Sequence, residues 1–149
     1  EGGIRVPMIV TWPNQIEANT MTTHLSAFWD IFPTLAEISG NRDNQIIDGI
    51  SFKPTLYGKK QPKHDYLYWE FPEYGGQQAV RKKQWKAIRK NLHKDNLNIA
   101  LFDLSKDPRE DNDISDQYPE KVAEMEAIMI EAHSDPIIDK FNLNILGDK

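Results

Sequence analysis

YLYWEF at residues 66–71, a Gly75-Gly76 loop, QQAVRKKQWKAIRK at 77–90 and NIALFDL at 98–104 decide how this chain is read. The first run is dense in aromatic residues. The second sets Ala79 and Arg81 on one side with Val80 opposite, and the third sets Ile99 and Leu101 against Ala100, Phe102 and Leu104. A period of two predicts strands near 66–71, 77–81, 84–90 and 99–104, with Lys82-Lys83 at a tight turn, and the simplest joining is an antiparallel meander. Such a sheet needs a cover for one face. The stretch from Pro119 supplies it, because Pro119 suits a first helical position and Val122, Met125, Met129 and Ala132 recur at helical spacing.

The chain of 149 residues is 39% hydrophobic and 10% aromatic, a composition that supports a real core. Its formal charge of -5 argues against general affinity for nucleic acid. No apolar run approaches the length of a membrane span. With no cysteine, disulfides, thiolate nucleophiles and thiolate metal sites are excluded, but the compartment is not identified.

Upstream of the meander, Ile4 to Trp12 reads as a strand covered on both faces, because Met8, Ile9 and Val10 are consecutive apolar residues. It has no evident partner, which implies an amino-terminal body beyond Glu1; Pro7 disfavours a central place in a ladder. Thr22 or Thr23 is expected to cap a helix ending before Gly40, with Leu25, Phe28, Phe32, Leu35 and Ile38 as its buried stripe, Trp29 widening it and Pro33 bending it. Asp30 invites a catalytic reading, but an exposed or locally hydrogen-bonded carboxylate explains it better. Residues 40–44 read as a linker, ISFKPTLYG as a short amphipathic connector, and the lysine-proline stretch 59–63 as the internal boundary.

Seven Arg or Lys residues and no carboxylate lie between Arg81 and Lys94, whereas eleven carboxylates and three bases lie between Asp103 and Asp135. The basic run reads as a solvated face, a contact for an anionic ligand or a parent domain, or a nucleic-acid stripe; strand alternation disfavours the last. DPREDND at 107–113 lacks the glycine and terminal glutamate of a calcium loop, so turn and helix-start chemistry, with Asp116 near the next helix, explains it better. The four histidines are scattered, and His64 and Asp65 are neighbours that point to opposite faces of an extended segment.

Five stretches taken together resemble the carboxy-terminal part of a type I sulfatase, a formylglycine-dependent sulfuric ester hydrolase of the alkaline-phosphatase-like fold. They are EGGIRVPMIVTWP at 1–13, DIFPTLAEISG at 30–40, DGISFKPTLYG at 48–58, YWEF with QQAVRKKQWKAIR at 68–89, and LFDLSKDPREDNDI at 102–114. The resemblance implies an α+β architecture: residues 1–58 are the end of a large α/β catalytic domain, and residues 59–149 are a small antiparallel four-stranded subdomain with a C-terminal helix. It also implies calcium and formylglycine in the parent, and a periplasmic or secreted location. No C/S-x-P/A-S-R motif occurs here, so neither cofactor nor catalytic residue is expected within this chain. Arg5 is expected to be structural. The turn at Lys82-Lys83-Gln84 departs from the glycine-containing turn of the family.

The loop Phe71 to Gln77 is the candidate substrate contact. Glu70, Glu73, Tyr74 and Gln77 offer polar groups beside an aromatic edge, Trp69 or Tyr74 offers an apolar face, and Gly75-Gly76 permits close backbone approach. A plain surface hairpin with a buried Trp69 is the competing reading. Expected partners are the missing amino-terminal sulfatase domain and a sulfated sugar. The alternative for the whole chain is a non-enzymatic α+β module that binds an anionic ligand or a protein.

Overall fold

In the computed structural model, which describes residues 1–41 and 46–149, the chain forms two compact units. One is Val6–Asp65; the other is Tyr66–Lys149 together with Glu1–Arg5. Val6–Asp65 contains the helices α1 (Ile31–Ile38) and α2 (Lys53–Leu56). Residues 42–44 of the expected linker lie outside the described residues.

The second unit holds β1 (Leu67–Phe71), β2 (Gln77–Lys82), β3 (Trp85–Lys90) and β4 (Ile99–Asp103), followed by α3 (Pro119–Ala132). All strand pairings are antiparallel, and the sheet order is β1-β2-β3-β4. Tyr68 opposes Val80, Val80 opposes Ala87, and Ala87 opposes Leu101, so alternation places these side chains on one face. That face receives Met125, Ile128 and Met129 of α3, with Val122, Trp85 and Ile99 at its margin. Full burial of side chains of this size contributes about 1.5–3 kcal/mol each. Pro119 occupies the first turn of α3, where the missing amide costs no intrahelical bond. Ile128 joins Met125 and Met129 in the buried set while Ala132 is only half-buried, because Ile128 lies three positions after Met125 on the arc facing the sheet. Asp116 does not cap α3; the cap position is Tyr118 and carries no side-chain hydrogen bond.

Upstream, the structure departs from the sequence pattern. No strand forms between Val6 and Trp12, and Val6, Met8 and Ile9 are exposed. A strand buried on both faces requires neighbours on both edges, and none pairs with this run among the described residues. The helical segment is also shorter than expected: a single 3-10 turn, Phe28–Asp30, leads into α1, and neither Thr22 nor Thr23 caps it. Pro33 therefore falls in the first turn of α1, where it has no reason to bend the helix.

The middle of the expected buried stripe is turned outward, while Leu25 and Ile38 at its ends are half-buried. Phe28 is 75% exposed and Leu35 59%, while Asp30 and Thr34 are the buried positions. The polar pair explains the orientation. Asp30 Oδ2 accepts the Ala27 amide at 2.7 Å, its Oδ1 accepts the Ile50 amide at 2.8 Å, and Thr34 Oγ1 accepts the Phe52 amide at 2.9 Å. The 48–52 segment is thus tied to the polar side of α1 by side chains that satisfy its backbone. Gly49 permits the approach: a Cβ there would stand 2.1 Å from the Trp29 carbonyl oxygen.

Candidate functional site

The loop joining β1 to β2 carries three consecutive residues in the left-handed region, Tyr74 (φ 51°), Gly75 (φ 88°) and Gly76 (φ 76°). This conformation throws the Tyr74 side chain outward, 84% exposed, where its ring stacks on Phe71 with centroids 5.9 Å apart and planes 18° apart. The loop is braced from behind. Leu92 N donates to Gly76 O at 3.2 Å, His93 N donates to Gly75 O at 3.0 Å, and the His93 ring bonds Pro72 O at 2.7 Å. Gly76 tolerates no side chain, since a Cβ would lie 2.9 Å from both Leu143 Cδ2 and Leu92 Cβ. The tip is therefore a shaped aromatic platform on a fixed backbone.

The four sequence-predicted residues divide between two faces. Gln77, half-buried, opposes Phe71 on one side and Lys90 on the other, so Phe71, Gln77 and the exposed Lys90 share a face next to Tyr74. Glu73 is exposed at the tip. Glu70 is not brought together with them: it opposes Gln78 and lies on the face covered by α3. Trp69 is half-buried. The two-residue loop Lys83-Gln84 sets the β2–β3 register that brings Lys90 beside Gln77, a neighbour that alternation alone does not specify.

Glu70 belongs to a buried polar network. Its carboxylate accepts the Tyr68 hydroxyl and the Gln78 amide (3.0 Å); Arg89 donates to Gln78 Oε1 at 3.2 Å and pairs with Glu126 at 2.6 Å. His133, at the end of α3, completes it: Nδ1 lies 2.9 Å from Glu70 Oε2 and Nε2 lies 2.7 Å from Asp148 Oδ1. Burial alone would lower the His133 pKa, but the two carboxylates outweigh it and raise it above the ordinary histidine value. Burial and the Glu70 charge push the Tyr68 phenol far up, so it stays a donor. Nothing in the sequence pointed to this network, whose members lie 63 and 15 positions apart.

The basic run is largely consumed within its own unit. Arg81 pairs with Glu1 at 3.2 Å, the buried Lys86 bonds Glu110, Lys82 pairs with Glu124 at 2.9 Å, and the buried Arg89 serves the network above. Lys83, Lys90 and Lys94 are exposed. A continuous anion-binding stripe over Arg81–Lys94 is not formed by this arrangement. The acidic run is equally local: Asp107 accepts the Asn112 amide at 2.9 Å, which heads the causes that lower its pKa, and Asp113 Oδ1 accepts the Leu101 amide at 3.0 Å across the β4 edge.

In the other unit, Asp30 Oδ1 also takes His64 Nε2 at 2.8 Å, so the partner of His64 is Asp30 and not its neighbour Asp65. Burial depresses the pKa of nearby His24, against an opposing pull from Asp30. With both oxygens holding backbone amides, Asp30 is a structural clamp. Among the described residues, His133, Asp135 and Asp148 are donors that converge, their ligand atoms within 4.8 Å of one another. A histidine in the set and two ring nitrogens already held by carboxylates do not fit the all-oxygen shell that calcium prefers. No helix among the described residues is long and apolar enough to cross a membrane.

A four-stranded antiparallel meander closed by one C-terminal helix is consistent with the tail of an alkaline-phosphatase-like α/β domain. The family profile described as N-sulphoglucosamine sulphohydrolase, C-terminal, matches residues 1–135, and the chain belongs to this family of sulfuric-ester-hydrolase origin. It is 33% identical over 146 residues to arylsulfatase A of Bos taurus, covering 83% of this chain and 29% of that protein. It is 27% identical over 149 residues to an ulvan-active sulfatase of Formosa agariphila, covering 76% and 29%. Among solved structures, Ps i-CgsB in complex with k-i-k-neocarrahexaose superposes with a TM-score of 0.68 at 26% identity, covering 81% of this chain and 27% of that one. The chain thus spans less than a third of the length of these relatives.

Proposed function

We propose that this chain is the C-terminal portion of a sulfatase that hydrolyses sulfate esters of a sulfated sugar, and that it completes the fold and walls the substrate cleft without being catalytic alone. The observation that carries the substrate reading is the Phe71–Tyr74 platform: an exposed aromatic pair on a backbone that three left-handed residues and the 91–95 turn hold in place. A sugar ring offers C–H faces to such a platform, Glu73 and Gln77 offer hydroxyl partners, and the exposed Lys90 offers a charge for a sulfate group. Two similar proteins, one named for ulvan and one with a bound carrahexaose, support a sulfated polysaccharide as the substrate class.

Catalysis is assigned to the upstream domain, the first expected partner, where the family's calcium and formylglycine belong. The outward apolar side of α1 and the run Val6–Trp12 support residues 1–58 as the end of that larger body, with a periplasmic or secreted location following from the family. In the full-length enzyme, Tyr74→Ala should lower kcat/KM on a sulfated oligosaccharide by about tenfold, and on a small aryl sulfate by less than about twofold. Equal losses on both substrates, or none, would remove the platform from substrate selection. Purified residues 1–149 should show no turnover of either substrate.

A further inference from the structure

We propose that Glu70, His133 and Asp148 form a charged clasp that seats the C-terminal segment Phe141–Asp148 against Gly76 and thereby sets the shape of the Phe71–Gln77 loop. Its bearing on substrate choice rests on the function proposed above; the clasp itself does not.

The geometry runs in one connected line. Glu70 is the penultimate residue of β1, one position before the loop begins. Its carboxylate takes one nitrogen of His133, and the other nitrogen takes Asp148. Asp148, with no side-chain exposure, uses its second oxygen to accept the Leu143 amide at 2.6 Å. Leu143 is fully buried, and its Cδ2 occupies the space a Cβ on Gly76 would need. Gly76 is the last of the three left-handed residues that aim Tyr74. A shift of Leu143 therefore changes what supports the loop backbone.

The charges make the clasp depend on a proton. A doubly hydrogen-bonded imidazole between two carboxylates must donate from both nitrogens, so it is held as the cation. The groups facing it are Glu70 from β1, Asp148 from the C-terminal segment, and Asp135 from the stretch after α3. Tyr68 of β1 adds a neutral phenol, and behind Gln78 stands the Arg89–Glu126 pair of β3 and α3. Loss of the proton leaves two acceptors facing a ring with one donor. Because the folded pKa of His133 is raised, the clasp is closed below the ordinary histidine range and weakens as pH rises through the folded value.

Glu70, His133 and Asp148 are positioning residues here. The test uses the full-length sulfatase in calcium-containing buffer free of other divalent metals, with amide exchange followed from pH 6 to 9. In the wild type, exchange of the 141–148 and 73–77 amides, after correction for intrinsic rates, should accelerate together by at least about tenfold as His133 deprotonates, while Val80 and Leu101 stay protected. His133→Gln should show the accelerated rates at every pH and no remaining pH dependence, whereas Asp148→Asn, which leaves His133 paired with Glu70, should raise the rates and move the transition to lower pH. A pH-independent 141–148 segment, or a segment that opens without any change at 73–77, overturns the clasp. These readouts stand apart from turnover. If Tyr74→Ala leaves selectivity unchanged while the two segments still open together, the substrate reading fails and the clasp holds.

Discussion

The two units of this chain follow opposite rules of burial. In Tyr66–Lys149 the period-two and helical patterns place Val80, Ala87, Leu101, Met125 and Met129 inside, as amphipathic elements do when the chain supplies both halves of the core. In Val6–Asp65 Phe32 and Leu35 of α1 face out, and the buried positions at this helix are Asp30, at its start, and Thr34. Periodicity reports which residues share a face; it does not report whether the partner for that face lies in the same stretch of sequence.

The sharpest break of the comparison is a pair of truncations in the 149-residue chain. Met129→Ala removes a fully buried side chain from the helix–sheet core and should cost about 2–5 kcal/mol of the stability of its unit. Leu35→Ala, at a position 59% exposed, should cost less than about 0.5 kcal/mol in the same chain. Amide exchange resolved by unit measures both. In the full-length protein the Leu35 penalty should rise toward the core range, because the proposed upstream domain covers that face. An unchanged Leu35 penalty there would show that the face stays bare.

The same contrast should be visible in pH. His24 has a pKa below the ordinary 6.5 through burial, so its contribution to Val6–Asp65 is present above that value and is lost as pH falls toward the folded pKa. His133 has a raised pKa, so its contribution to the other unit is present below 6.5 and is lost as pH rises through the folded pKa. Between pH 5.5 and 8.5 the two units should move in opposite directions, the first gaining protection and the second losing it. Parallel changes would show that one of the two histidines is silent.

How much was legible follows from the range of the interactions. The four strands and α3 are legible within a residue or two because alternation, the polar break at 82–84 and Pro119 are local signals, although the turn itself is Lys83-Gln84 and Lys82 still belongs to β2. Phe71–Gln77 was visible as a loop because two glycines interrupt an aromatic run. The turned-out side of α1 was not visible, since Asp30 earns its burial through amides at Ala27 and Ile50, the latter 20 positions away. Glu70 read as a loop-facing group because its place beside Phe71 suggested it, whereas the β1–β2 register sends it to the α3 side. The His133 pairings join three distant stretches and leave no sequence trace. The basic run misled in the same way, because the carboxylates that pair it, Glu1, Glu110, Glu124 and Glu126, come from outside it.

The smallest effect concerns the tightest turn of the better-formed unit. Lys82 pairs with Trp85, which leaves Lys83 and Gln84 as a two-residue loop, and Lys83 holds φ at 56°. A β-carbon in that region crowds the following carbonyl at a cost of about 1–2 kcal/mol, which glycine avoids. Glycine also frees the unfolded chain, and that entropy offsets about 0.4–1 kcal/mol of the gain. Lys83 is exposed, so replacing it removes no packing. The difference predicts that Lys83→Gly stabilises Tyr66–Lys149 by about 0.5 kcal/mol, read as a higher denaturation midpoint at unchanged m-value. Lys83→Asn, which tolerates the left-handed region with less freedom in the unfolded state, should do at least as well. A lower midpoint for both variants would mean that the lysine side chain contributes more at the turn than its backbone strain costs.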